Sequence, residues 1–256
     1  MLILISPAKS LDYESTTHQQ NFTIPYFAKD TEKLALQLKK FSVSDLEKLM
    51  GISKKLAELN FERFQKFLPK FDLKNSKQAL LVFDGDVYGP IEKDKFSQAD
   101  FDFAQKNLRI LSGFYGILKP LDLMQPYRLE MGTDFKKTSL EKNLKIKNLY
   151  QFWGDKISQY LNLEKSEYLI NLASEEYFSA INSKEISAKI VNIIFKEKKG
   201  DGYKIIGIHA KKARGMMVNF IIRNKIVDLY GLKGFGVGGY CFVEEMSDEG
   251  NFVFVR

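Results

Sequence analysis

The first five residues, Met1 to Ile5 (MLILI), constrain this chain more than any other stretch. The run is unbroken and apolar, and it stops at Ser6 and at Pro7, which cannot continue a central ladder, so it reads as a buried β-strand. A buried strand requires a sheet around it and a second layer to cover it. The run is too short to cross a membrane, and no basic region precedes it as in a secretory leader. No later run is long enough either, so a cytoplasmic protein without a membrane partner is expected.

Hydrophobic residues at 45% and charged residues at 28% are ordinary globular usage, with neither low-complexity tracts nor repeats, so an ordered, core-forming chain is expected. One cysteine, Cys241, excludes an internal disulfide. With His18 and His209 as the other soft ligands, there is no thiolate or imidazole cluster of the kind that holds zinc or an iron-sulfur centre, and neither a metal nor a cofactor is expected. Lys plus Arg exceeds Asp plus Glu by 39 − 32, a net charge of +7 that favours polyanionic partners.

Along the chain, residues 29 to 40 read as a helix with Leu34, Leu38 and Phe41 on one stripe. Ser44-Asp45-Leu46-Glu47 has the spacing of a capping box and predicts a short helix from about Asp45 to Met50. Gly51 stops it, and a second helix follows Ser53, with Ala57, Phe61, Phe64 and Leu68 at helical spacing up to Pro69. Ser97 with Asp100 caps another helix to about Asn107, and Leu108 to Leu111 is a strand. Leu149 to Leu161 reads as one amphipathic helix, and Tyr168 to Leu172 as a buried strand followed by a helix capped at Ser174. Ile190 to Phe195 and Tyr203 to Ile208 flank Lys198-Lys199-Gly200-Asp201-Gly202, a hairpin signature. Ala213 to Asn224 is then helical, and Tyr240 to Val243 with Phe252 to Val255 form a second hairpin. Strands and helices alternate irregularly, so the expected class is α+β, as a single mixed domain over residues 1–256 with an embedded helical element at about 44–68.

Leu49-Met50-Gly51-Ile52-Ser53-Lys54-Lys55-Leu56-Ala57 resembles a helix-hairpin-helix, with Met50 in place of the usual Pro and Ser53 in place of the second Gly. Gly51 supplies the turn conformation, free amides open the second helix toward an anion, and Lys54 and Lys55 add charge. Such a device holds the phosphate backbone of duplex or branched DNA with little sequence preference. The plainer alternative is an αα-hairpin whose Gly is a C-cap and whose lysines are solvated. A second basic cluster, His209-Ala210-Lys211-Lys212-Ala213-Arg214-Gly215, is expected where hairpin meets helix. Cations at a helix start oppose the macrodipole and suit a phosphate, or are simply solvated.

The chain also resembles the YaaA family. The blocks that carry the resemblance are Ile5-Ser6-Pro7-Ala8-Lys9-Ser10-Leu11-Asp12, Phe83-Asp84-Gly85-Asp86-Val87-Tyr88, Leu111-Ser112-Gly113-Phe114-Tyr115-Gly116 with Lys119-Pro120-Leu121-Asp122, Pro126-Tyr127-Arg128-Leu129-Glu130-Met131-Gly132, Asn171-Leu172-Ala173-Ser174-Glu175-Glu176-Tyr177-Phe178 and Lys212-Ala213-Arg214-Gly215. They occur in order over nearly the whole chain; the departure is Gly89-Pro90-Ile91 after Tyr88. The resemblance implies a fold particular to the family, a role in peroxide resistance and in limiting free iron, and DNA binding through a positive cleft and a helix-hairpin-helix.

Read from the residues alone, Lys9, Asp84, Asp86, Tyr88, Arg128, Glu130, Glu176, Lys211 and Arg214 fall at element ends or in glycine-containing turns. Gathered together, they would line a cleft of both charge signs, where paired carboxylates and cations suit general acid/base work or metal-assisted phosphodiester chemistry. Asp84 and Asp86 point the same way if their segment is extended. The alternative is an Asp-Gly-Asp turn beside a structural ion-pair network. Neither His18 nor His209 sits in a nucleophile elbow, so a serine hydrolase is not expected, and His209 reads as a strand-end packing residue. Three functions therefore stand at this stage: a DNA-binding stress protein, an enzyme acting on DNA or a small anion, and an iron-binding protein with a weak oxygen-rich site.

Overall fold

The computed structural model describes residues 1–136 and 138–256. The opening run forms β1 (Leu2–Ile5), every residue of it buried. It lies between two parallel partners, β2 (Leu108–Ser112) and β4 (Tyr168–Leu172), with Ile3 opposite Leu108 on one side and Ile170 on the other. Strand β3 (Gly116–Leu118) is an antiparallel edge beside β2. On the other side β4 pairs with β5 (Lys189–Lys199), which carries the antiparallel β6 (Gly202–Lys204) and is parallel to β8 (Asn251–Val255). Strand β7 (Cys241–Phe242) closes that edge antiparallel to β8. Among the described residues the order is β7-β8-β5-β4-β1-β2-β3.

Mixed α/β content stands as expected, but the middle of the sheet is parallel, from β2 through β1, β4 and β5 to β8. The irregular alternation of elements hid this, because the crossover from β1 to β2 is about a hundred residues long and carries several helices. These include α1 (Ala28–Leu38), α2 (Val43–Met50), α3 (Lys54–Lys66) and α4 (Gln98–Asn107). Helix α4 begins at the Ser97–Asp100 capping box that the sequence predicts. The buried side chains form one continuous hydrophobic cluster. No helix of the described residues is long and apolar enough to cross a membrane.

Four sequence expectations are corrected. Helix α2 is capped by Ser42 rather than Ser44: the Ser42 hydroxyl accepts from the Asp45 N–H at 3.2 Å, and the Asp45 carboxylate accepts from the Ser42 N–H at 2.9 Å. Both serines have the required spacing. The Ser42 start places buried Phe41 just before the cap and buried Leu46 at the fourth helical position, the pair used by a hydrophobic staple.

The helix expected over 149–161 is broken at Gly154, whose positive φ of 47° ends one short helix (Leu149–Trp153) before α5 (Lys156–Leu163) begins. The stretch Tyr203 to Ile208 extends only to Lys204 as strand, and α6 (Gly207–Asn224) starts six residues earlier than the predicted Ala213. Ile205, Ile206 and Ile208 favour a strand by their branched side chains, but tertiary context overrides that preference. Lys211 and Lys212 consequently lie within α6 rather than ahead of it, Arg214 lies within the helix as expected, and His209 is a helix residue whose Nδ1 is 3.4 Å from Glu197. Finally, the Asp84-Gly85-Asp86 segment is not extended. Asp84 pairs with Ser10 in a two-residue bridge, and Gly85, at φ 115°, turns the chain so that the Tyr88 and Gly89 N–H groups both donate to its carbonyl.

Candidate functional site

The chain leaves β1 toward β2 on one side, whereas it leaves β4 toward β5 on the other. Two adjacent parallel strands whose continuations diverge leave a crevice outside their carboxyl ends, the usual location for ligands in open α/β sheets. Here the strand ends are joined across that crevice. The Ser174 N–H, just beyond β4, donates to the Ser6 Oγ at 2.8 Å, and the Ser6 hydroxyl donates to the Ser174 Oγ at 3.2 Å. Ser174 therefore spends its side chain on Ser6 and does not cap the short helix after it. The Tyr88 hydroxyl donates to the Ser6 carbonyl at 2.9 Å, and its own burial raises its pKa well above the usual tyrosine value.

The cavity at this point has a volume of about 640 Å³, and Ser6, Ser174, Lys9, Asp84, Asp86, Glu130, Glu176, Lys211 and Arg214 all line it. Residues from five separate stretches of the sequence thus converge on one cleft. Two glycines set how closely its walls approach. A methyl group on Gly215 would stand 1.9 Å from the Val87 carbonyl oxygen, so α6 lies directly against the Asp86–Val87 turn and brings Arg214 into the cleft. One on Gly113 would stand 2.3 Å from the Leu129 carbonyl oxygen, so the loop after β2 presses on the segment that carries Arg128 and Glu130.

The charges in the cleft divide into satisfied and unsatisfied groups. Glu130 is 3.2 Å from both Lys9 and Arg128, and Glu176 accepts from the Gly132 N–H at 3.0 Å. Arg128 does not line the 640 Å³ cavity but stands behind Glu130, with its Nε buried and unpaired. Arg214 makes neither an ion pair nor a hydrogen bond among the described residues, and its Nε is buried without an acceptor. Burial alone lowers its pKa, with no carboxylate offsetting the loss of solvent. Lys211 and Asp86 line the cleft and are likewise without a side-chain partner among the described residues.

The turn from α2 to α3 lies beside this cleft. Gly51 is exposed and left-handed, at φ 60° and ψ 42°, and its N–H caps α2 by donating to the Glu47 carbonyl. Gly51 shares an adjoining concavity with Glu130, Gly132, Asp134 and Glu176, and since Glu130 and Glu176 also line the main cleft the two form one groove. Ser53, Lys54 and Lys55 are exposed and lie outside both linings, as does Lys212. The Ser53 hydroxyl does not cap α3, and the first turn of α3 has no acidic residue. The corner is thus open to solvent, but one of its sides faces the carboxylates of the groove.

Sequence reasoning missed the pairing of Ser6 with Ser174, because seriality gives no hint that the ends of β1 and β4 are neighbours. The available signal was a serine within two residues of the end of each of two apolar strands. Among the described residues no three His, Cys, Asp or Glu side chains converge as a metal site would require.

A protein-family model described as peroxide stress protein YaaA matches residues 1–246. A UPF0246 protein of Acaryochloris marina (strain MBIC 11017) is 49% identical over 258 residues, which cover 100% of each chain. UPF0246 proteins of Burkholderia multivorans and Burkholderia cenocepacia are 45% and 44% identical over 262 residues, covering 100% of this chain and 98% of each relative.

Proposed function

This chain belongs to the family of the peroxide stress protein YaaA, and on that premise we propose that it acts in the peroxide stress response by binding the backbone of duplex or branched DNA with little sequence preference. The carrying observation is that the α2–α3 corner presents Ser53, Lys54 and Lys55 exposed beside one groove. The α2–α3 turn lies at one end of it, and Lys9, Lys211 and Arg214 lie at the other. The unfilled amide end of α3, with Lys54 and Lys55 in its first turn, suits a phosphate, since the first amides of a helix have no acceptor within it. Because Glu130, Asp134 and Glu176 flank the inner side of Gly51, the strand is directed to the outer face that carries Ser53, Lys54 and Lys55. Bound there, the protein would shield DNA from iron-driven oxidation without itself holding iron.

Titration of a fluorescent duplex at several salt concentrations tests this reading. Log affinity falls with log salt by about 0.9 for each phosphate neutralised. The double substitution Lys54→Glu, Lys55→Glu weakens every duplex alike and flattens that slope, as expected for contacts that position without reading bases. A salt-independent affinity, or a double variant that binds as the parent does, removes the hairpin from the function.

A further inference from the structure

Among the described residues, other buried cations have at least one acceptor, although the Nε atoms of Arg109 and Arg128 are also unpaired. The Arg109 side chain, 1% exposed, pairs with Glu164 at 2.7 Å and donates to the Gln105 and Leu108 carbonyls. Lys93 donates to the Leu81 and Phe83 carbonyls. Arg214 is the contrast: a largely buried guanidinium with no acceptor among the described residues, aimed along the wall of a cavity. A desolvated charge without a counter-charge is unfavourable, and such charges at clefts cluster at functional sites.

Asp86 faces the same space, also without a partner, and the two do not pair with each other. A cleft that holds an unpaired cation and an unpaired carboxylate apart is complementary to a molecule with an oxyanion at one end and hydrogen-bond donors at the other. The volume of about 640 Å³ lies within the range of small-molecule sites, and its position outside the carboxyl ends of β1 and β4 is that of nucleotides in open parallel sheets. The carboxylates that line it make it a poor track for a continuous polyanion but not for a single phosphate.

We infer that this crevice binds a small molecule of the nucleoside monophosphate class, with its phosphate on Arg214 and Lys211 and its hydroxyl or amine donors on Asp86 and Glu176. The guanidinium supplies a planar fork to the phosphate oxygens, and the carboxylates accept from ribose hydroxyls or an exocyclic amine. The site lies on the floor of the groove, and Lys54 and Lys55 lie outside its lining.

Isothermal titration of the full chain with AMP, GMP, CMP and UMP, and separately with inorganic phosphate and adenosine, tests the assignment. At least one monophosphate is expected to bind in the micromolar range, with phosphate alone and nucleoside alone each at least about tenfold weaker. Arg214→Gln is expected to weaken that monophosphate by at least about tenfold and Arg214→Lys by less, since lysine keeps the charge and loses the fork. Unliganded Arg214→Gln is expected to melt at or above the parent, because it removes a cation that nothing in the protein balances. The Lys54→Glu, Lys55→Glu double variant is expected to keep the monophosphate affinity, which separates this site from the DNA surface. No saturable binding of any monophosphate up to about 1 mM overturns the inference, as does phosphate alone binding equally well. Affinity unchanged by Arg214→Gln overturns it too, as does a lowered melting temperature in both unliganded Arg214 variants.

Discussion

Replacing Gly215 by alanine sets two effects of opposite sign against each other. Within a helix such as α6, alanine is favoured over glycine by about 1 kcal/mol. The added methyl carbon, however, would stand 1.9 Å from the Val87 carbonyl oxygen and 2.9 Å from its carbon. A carbon–oxygen contact is comfortable at about 3.3 Å, so helix and turn must separate by more than about 1 Å. The obstacle is main chain, and it is held firmly: the Tyr88 and Gly89 N–H groups donate to the Gly85 carbonyl, and the Tyr88 hydroxyl donates to the Ser6 carbonyl. Overpacking costs about 1–3 kcal/mol, and a forced backbone displacement belongs at the upper end. After the helical gain is subtracted, a net loss of about 2 kcal/mol remains, a fall in Tm of roughly 4–8 °C for a chain of this size. Thermal unfolding followed by far-UV circular dichroism measures it. Gly207→Ala, in the same helix but with nothing within 4 Å of the added carbon, is the control and is expected to cause no fall. A Gly215→Ala protein that melts with or above the parent would refute the close approach of α6 to the Val87 turn, and with it the placement of Arg214.

Asp122 gives a pH-dependent prediction. It is buried, and burial raises its pKa from 3.8 to about 6, although it accepts from the Thr23 hydroxyl at 2.5 Å and the Lys119 N–H at 2.8 Å. Because the folded value lies above the unfolded one, its favourable contribution is complete below about pH 4 and is lost as pH rises through about 6. A shift of about 2 units corresponds to at most about 3 kcal/mol, so urea unfolding should show Asp122→Asn gaining on the parent between about pH 4 and pH 7; a constant difference would contradict the shift. At the start of α2, Ser42→Ala should cost about 1 kcal/mol and Ser44→Ala less than about 0.5 kcal/mol, and the reverse order in chemical denaturation would restore the cap to Ser44.

Several features are local in origin and were legible in the chain. The apolar run Leu2–Ile5, the Ser97–Asp100 cap, the left-handed Gly51 and the Lys199–Gly202 hairpin depend on neighbours within a few residues, and each forms as its residue types require. Local preference misled where two solutions satisfied it equally, as with the two candidate serines at α2. It also misled at Ile205–Ile208, where Ile205 and Ile208 stay exposed and α6 already begins at Gly207.

For the site, the sequence by itself determined which groups were available: acids, cations and glycines gathered in short polar blocks at the ends of apolar runs. Only the tertiary structure decided which of them meet, because the parallel pairing of β1 with β4 joins residues 168 positions apart. It also decided which charges cancel and which stay free. Lys9, Arg128 and Glu130 are as polar in sequence as Arg214 and Asp86, yet the first three are ion-paired and the last two are not. Charge balance at a cleft is a property of distances between segments, and no local pattern encodes those distances.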